Sequence, residues 1–133
     1  MAIGLSYPKP RDPLVKTFPI LRTDNATLKC VLPKNSVVLS IHINQTSNAV
    51  TGAGAFDLGW AGTTQALVAA FSMPVAKVGL VNPGAQTGAS VGVKLDSDKQ
   101  VISTYTAGTS TAGGEGHVVI EYVVLGGGED VYS

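Results

Sequence analysis

The sequence predicts an all-β domain: an antiparallel, jelly-roll-like β-sandwich with one short helix and an extended N-terminal arm. Three observations carry this. About seven or eight short runs of β-forming residues are separated by turn signals every eight to twelve residues, the spacing of a sandwich or barrel. Residues 36–45, SVVLSIHINQ, alternate apolar and polar with the period of a half-buried strand. Runs 100–106 and 117–125 flank a loop of Gly, Ser, Thr and Ala, which reads as a long closing hairpin. A chain of 133 residues is the size of one domain with a real core.

Each element has its own justification. Residues 1–15 read as an arm, because Pro8, Pro10 and Pro13 block a helix and favour extended backbone. Lys9 and Arg11 make it mildly basic, with Asp12 opposing. It is either a loose terminus or a docking segment along another subunit, and Tyr7 with the prolines suits docking. A domain over 16–126 follows, and 127–133 form a C-terminal tail. Residues 16–22, KTFPILR, contain Pro19, which suits an edge strand or bulge. Residues 27–32 form a second strand, and Pro33-Lys34-Asn35 a turn. In 36–45, Val37, Leu39, Ile41 and Ile43 should share one face, with Ser36, Ser40, His42 and Asn44 on the other.

Residues 55–60 read as a further strand. Residues 63–73, TTQALVAAFSM, read as the helix, capped by Thr63 or Thr64 and stopped by Pro74, although short apolar runs are ambiguous between helix and strand. Strands are expected at 75–81 and 89–95, with turns at Asn82-Pro83-Gly84 and Asp96-Ser97-Asp98. The last run is apolar on both faces: Val118, Ile120, Tyr122 and Val124 on one, Val119, Val123 and Leu125 on the other. An antiparallel strand of a sandwich should meet water on one face, so a second apolar face marks an overlaid or interfacial strand.

Composition narrows the function. Nine basic residues balance nine acidic ones, which disfavours a free nucleic-acid binder. A near-neutral surface offers little repulsion against association, consistent with a partner covering part of it. No apolar stretch approaches the ~20 residues of a membrane helix. The first residues lack the basic and apolar regions of a secretory signal. The single cysteine, Cys30, excludes an internal disulfide framework and sits where a thiol acts as a small hydrophobe.

The search for chemistry returns little. No H-x-x-x-H, C-x-x-C or H-E-x-x-H spacing occurs, so no metal is expected. Asp96-Ser97-Asp98 lacks the further oxygen ligands of a calcium loop. The Gly-x-Gly at 52–54 lacks the third glycine and the strand–loop–helix context of a dinucleotide site. His42 reads as a cross-strand residue, while His117, beside the glycine-rich loop, is a candidate contact. Trp60 reads as core or interface rather than a sugar-stacking platform. No catalytic residue and no cofactor are expected.

The runs LPKNSVVLSIHIN, FDLGWAGTTQALVAA and ISTYTAGTSTAGGEGHVVIEYVVL resemble small structural proteins of tailed-phage virions over roughly residues 30–125. The shared features are a Pro-x-x-(Ser/Ala)-Val-Val strand start, here Pro33 to Val38, an Asp-x-Gly strand end at Asp57-Leu58-Gly59, and a Gly/Thr/Ala-rich closing loop. The family includes capsid decoration, or cement, proteins. The resemblance implies a non-enzymatic β-sandwich, made in the host cytoplasm, that sits on the capsid surface of the virion. Its implied partners are the major capsid protein and further copies of itself, as dimer or trimer, with no nucleic acid and no membrane. Interface candidates are then Tyr7, Pro8, Pro10, Arg11 and Pro13 of the arm, with Trp60, His117, Val119, Val123 and Leu125 of the domain. The loop 107–116 would be a tip facing solvent or lying in a groove. One alternative is a carbohydrate-binding or adhesin-type module of a tail or fibre, which predicts an exposed Trp60. A small β-sandwich enzyme would instead place His42 or His117 near carboxylates in a pocket.

Overall fold

A computed structural model describes residues 13–73, 79–81, 84 and 87–125. Among the described residues eight strands run in chain order: β1 (Leu14–Ile20), β2 (Thr27–Leu32), β3 (Ser36–Gln45), β4 (Gly54–Trp60), β5 (Thr63–Met73), β6 (Gly79–Val81), β7 (Lys99–Thr106) and β8 (Gly116–Val124). They form two four-stranded sheets, β1-β8-β3-β6 and β2-β7-β4-β5. All pairings are antiparallel.

The order follows from one long folded ribbon. The chain reverses at Ala61-Gly62, where Trp60 pairs with Thr63. Gly62 takes the left-handed φ of +84° that this turn requires. From there the two halves pair backwards along their length: β4 with β5, β3 with β6, β2 with β7, and β1 with β8. Rolling the ribbon adds β3·β8 and β4·β7 and gives a jelly roll. The predicted all-β sandwich is present. The predicted closing hairpin is not: β7 and β8 lie in different sheets, and residues 107–115 cross between them. Both runs are strand-like, and sequence alone does not say which partner each one takes.

The helix expected over 63–73 is strand β5. Its pairing with β4 shifts register twice, between Phe56 and Leu58 and between Leu58 and Trp60. These bulges bury Ala66, Leu67 and Val68 in succession, which erases the period-two signal. Asp57 holds the bulge: its Oδ1 accepts the Ala70 amide at 2.7 Å and Gln65 Nε2 at 3.0 Å, with Ala70 at a φ of +50°. Asp57→Ala should cost about 1–2 kcal/mol, read as a lower urea midpoint with unchanged slope. Gly59 lies so close to the bulge that a Cβ there would overlap the Thr63 carbonyl oxygen and the Ala66 amide.

A further bulge explains the faces of β3. Its register against β8 shifts between Val38 and Ser40. Val38, Ile41 and Ile43 are therefore buried, while Leu39 is exposed and Val37 is half-buried. The expected set of Val37, Leu39, Ile41 and Ile43 is broken at the extra residue.

Residues 89–95 form turns rather than the expected strand. They still complete the roll: Gly88 and Ser90 amides donate to Leu67 and Ala66 carbonyls, and Gly92 and Leu95 amides donate to Val38 and Ser36 carbonyls. The segment thus laces the free side of β5 to the free side of β3. Glycines at 88 and 92, and Leu95 as the one fully buried side chain of 89–95, suit a lace more than a ladder.

Of the strand expected at 75–81, β6 is the described part; residues 74–78, Asn82 and Pro83 lie outside the described residues. So do residues 1–12 and 126–133, which include Tyr7, Pro8, Pro10 and Arg11. Pro13 is exposed, and Leu14 and Val15 are the first residues of β1. Among the described residues β1 is an edge strand, one of the two placements, edge or bulge, that Pro19 suits. The core lies between the sheets, with Phe18, Ile20, Ile41, Ile43, Val118 and Ile120 facing Phe56, Leu58, Val101 and Tyr105.

Candidate assembly surfaces

The 107–115 crossing is pinned down by one residue from the other end of the chain. Arg22 sits at the β1–β2 corner. Its guanidinium donates to Ser110 Oγ at 2.8 Å, the Ser110 carbonyl at 2.8 Å and the Gly113 carbonyl at 3.0 Å. Its amide donates to Glu115 Oε2 at 2.9 Å. The guanidinium also lies 5.7 Å from the Tyr105 ring centroid, and the Tyr105 hydroxyl donates to the Gly114 carbonyl at 2.9 Å.

From the other side, Thr46 and Ser47 amides donate to the Glu115 carbonyl, and Val50 exchanges backbone bonds with Thr111 and Ala112. Gly113, at φ +64°, passes so near the Asn48 carbonyl oxygen that only glycine fits. The loop rich in Gly, Ser and Thr is therefore a braced cap on one end of the roll. The sequence reading missed Arg22. No local pattern signals it: its partners Ser110, Gly113 and Glu115 lie 88, 91 and 93 residues further along the chain.

The same corner holds a buried ion pair. Lys29 Nζ lies 2.8 Å from Asp24 Oδ1, and the side chains are 7% and 2% exposed respectively. Asp24 Oδ2 accepts the Leu21 amide at 3.0 Å, and its carbonyl accepts the Tyr105 amide. Lys29 occupies the point where β2 shifts register between Leu28 and Cys30.

The apolar second face of the last strand lies on the outer surface of the first sheet. Val119 sits between Thr17 and His42, and Val123 beside Val37. Val119, Val123 and Leu125 are half-buried, and His117 is exposed between Pro19 and Asn44. In the middle of the face Ser40 Oγ donates to Glu121 Oε1 at 3.1 Å. The outer face is thus mixed, with a small valine patch at one end.

More apolar surface is exposed along the neighbouring edge strands β1 and β2. Leu14 is 47% and Val15 55% exposed on β1, and Leu28 54% and Val31 42% on β2. Lys16 and the half-buried Cys30 lie close to one another on this side. Burial pushes the Cys30 thiol up to about 11, and the Lys16 charge opposes this only in part. Burial also raises Tyr105, against the lowering effect of Arg22. Both groups fold protonated, so their contribution is complete below their ordinary values and is lost as pH climbs through the raised ones. Stability should therefore fall between about pH 9 and 11, and less steeply in Cys30→Ala, as read by urea melts at pH 7 and above pH 10.

Trp60, at the end of β4, is half-buried against the core. Lys99 Nζ stands 5.4 Å from its ring centroid. A shallow groove of about 400 Å³ runs past Trp60, Ala61, Asp98, Gln100 and Ile102. Asp98 Oδ1 is already bonded to the Lys34 amide at 2.7 Å. Trp60 therefore offers part of one ring to a ligand, with an ammonium across it. Among the described residues no three of His, Cys, Asp and Glu gather as a metal site, and no helix is long and apolar enough to cross a membrane.

The arrangement defines a jelly roll whose conspicuous features are a braced cap, two apolar edge strands and a valine patch. No family model matches the sequence, and no curated protein matches it. Among solved structures, the fold is similar to a chain of the cyanophage Pam1 capsid asymmetric unit, with a TM-score of 0.64 and 13% identity. The match covers 94% of this chain and 92% of that one, so the likeness of fold extends over nearly the whole of both.

Proposed function

We infer that this protein is a non-enzymatic structural component of a phage virion, and that it binds the outside of the capsid as a homo-oligomer and stabilises it. The observation that carries this reading is the near end-to-end likeness of fold to a chain of a phage capsid asymmetric unit. The surfaces agree with it. A stabilising protein needs a stiff body, and the Arg22-braced cap is stiff. It needs contact area, and the edge strands and valine patch offer apolar surface on a chain of zero net charge. It needs no cofactor. The coat partner is the major capsid protein.

Antibodies against the purified protein should label the head of intact particles of the phage that encodes it, viewed by electron microscopy. Heads assembled without it should release DNA at a lower temperature, and added protein should restore the difference. Label confined to a tail or fibre tip would overturn the capsid reading and favour the glycan-binding alternative, in which Trp60 is the platform. In that case Trp60→Ala would abolish binding on a glycan array.

A further inference from the structure

Among the described residues, the roll leaves one strand edge unprotected. Among the described residues, β6 is only three residues long, and β3 beyond it is bonded by Gly92 and Leu95. The β5 edge is met by Thr87, Gly88 and Ser90. The β2 edge is interrupted by its register shift. Among the described residues, β1 alone pairs over seven residues without a shift and has a partner, β8, on one side only. Alternate backbone groups of β1 therefore point away from the sheet, as a template for another strand. Its side chains also lack cover. Leu14 has the parity of the buried Phe18 and Ile20, yet it is nearly half exposed.

The sequence contains a strand that fits. In residues 1–7, MAIGLSY, Met1, Ile3, Leu5 and Tyr7 alternate with Ala2, Gly4 and Ser6. Period-two alternation gives one large apolar face and one face of small residues. The seven residues match the seven of β1 in length. The apolar face would cover Leu14 and the Lys16–Cys30 side of the sandwich, and the small face would meet solvent.

The connection decides whose β1 is covered. Residues 8–13, PKPRDP, hold three prolines, and each keeps its preceding residue, Tyr7, Lys9 or Asp12, out of the helical region needed to turn back. Six residues in an extended polyproline conformation span about 19 Å. The chain's own β1 edge is only about 5 Å away, the spacing between paired strands. An extended linker of that reach would carry residues 1–7 past the β1 edge of their own domain. We propose that residues 1–7 of one copy add as a ninth strand to the free edge of β1 in a second copy, making a strand-exchanged oligomer. This rests on the self-associated state inferred above and specifies how it is held together.

The test uses the full chain, Leu5→Asp, and a chain starting at Pro13, compared by light scattering and by hydrogen exchange of the β1 amides. The full chain should be a stable oligomer with β1 amides exchanging at least tenfold more slowly than in either variant. Both variants should be folded monomers. Cys30 should react with maleimide several-fold faster in them, because the thiol loses its cover. An oligomer that survives both changes overturns the proposal, as does a monomeric full chain. A monomer whose β1 amides are nevertheless protected by residues 1–7 shows a hairpin closed on its own domain, and equally overturns it. Leu5→Asp carries the test should the shortened chain fail to fold. Particle labelling by the monomeric variant separates the two readings: heads labelled by a monomer retain the capsid function and remove only the need for exchange.

Discussion

Asp24→Ala is expected to lower stability by about 3–5 kcal/mol, because it leaves the Lys29 ammonium buried without its counter-ion. The loss is larger than that of an ordinary surface ion pair, which contributes at most about 1 kcal/mol. Two neutral losses add to it: the Leu21 amide loses its acceptor, and the corner that presents the Asp24 carbonyl to Tyr105 loosens. The double change Asp24→Leu with Lys29→Met should recover most of the deficit, since it removes both charges together and keeps the volume. Urea unfolding of the two single variants and the double variant measures the coupling directly. If Asp24→Ala costs less than about 1 kcal/mol, then water reaches the pair and the corner is not the dry joint described.

Arg22→Ala is expected to cost about 3 kcal/mol, because three side-chain hydrogen bonds from a charged donor disappear and the Ser110 and Gly113 carbonyls lose their partner. The melting temperature should drop by roughly 10 °C for a chain of this size. Arg22→Lys should recover little, since a single ammonium cannot span acceptors that a planar guanidinium reaches together. Hydrogen exchange should show local opening confined to residues 107–115, whose amides should lose the most protection, while β4 and β7 lose only what the lower global stability dictates. Uniform loss of protection across the roll would mean that the cap and the core unfold as one unit.

The strands were legible wherever local pattern and tertiary pairing agree. β1, β2, β4, β7 and β8 fall close to the runs that β-forming residues mark out, and the proline of β1 suits the edge position it takes among the described residues. The misreadings sit at irregularities. Period two identifies a strand only while its ladder stays in register, and the bulge at Leu39 reverses the faces of β3 half-way along. Two shifts in β5 bury three neighbours in a row, so a strand took on the look of a helix. The third kind of miss concerns partners. Strand character is local, but β7 pairs with β2 and β4 and β8 pairs with β1 and β3, and those choices are made across the length of the chain. Arg22 belongs to the same class: 88 residues separate it from Ser110, and nothing at either position names the other.

The rolled ribbon has a consequence for synthesis. Among the described residues of the chain, β1 finds its partner in β8, with Leu14 opposite Tyr122. During translation the first strand is made and then waits for nearly the entire chain before its ladder can close. Pairings of such long sequence separation place the protein among slow folders, on the order of milliseconds to seconds. For that interval an apolar β1 edge is open to any passing strand, and in a cell making many copies the nearest candidates are identical nascent chains. High-level expression should accordingly be limited by aggregation of unfinished chains, and slowing synthesis by cooling should raise the yield of soluble protein.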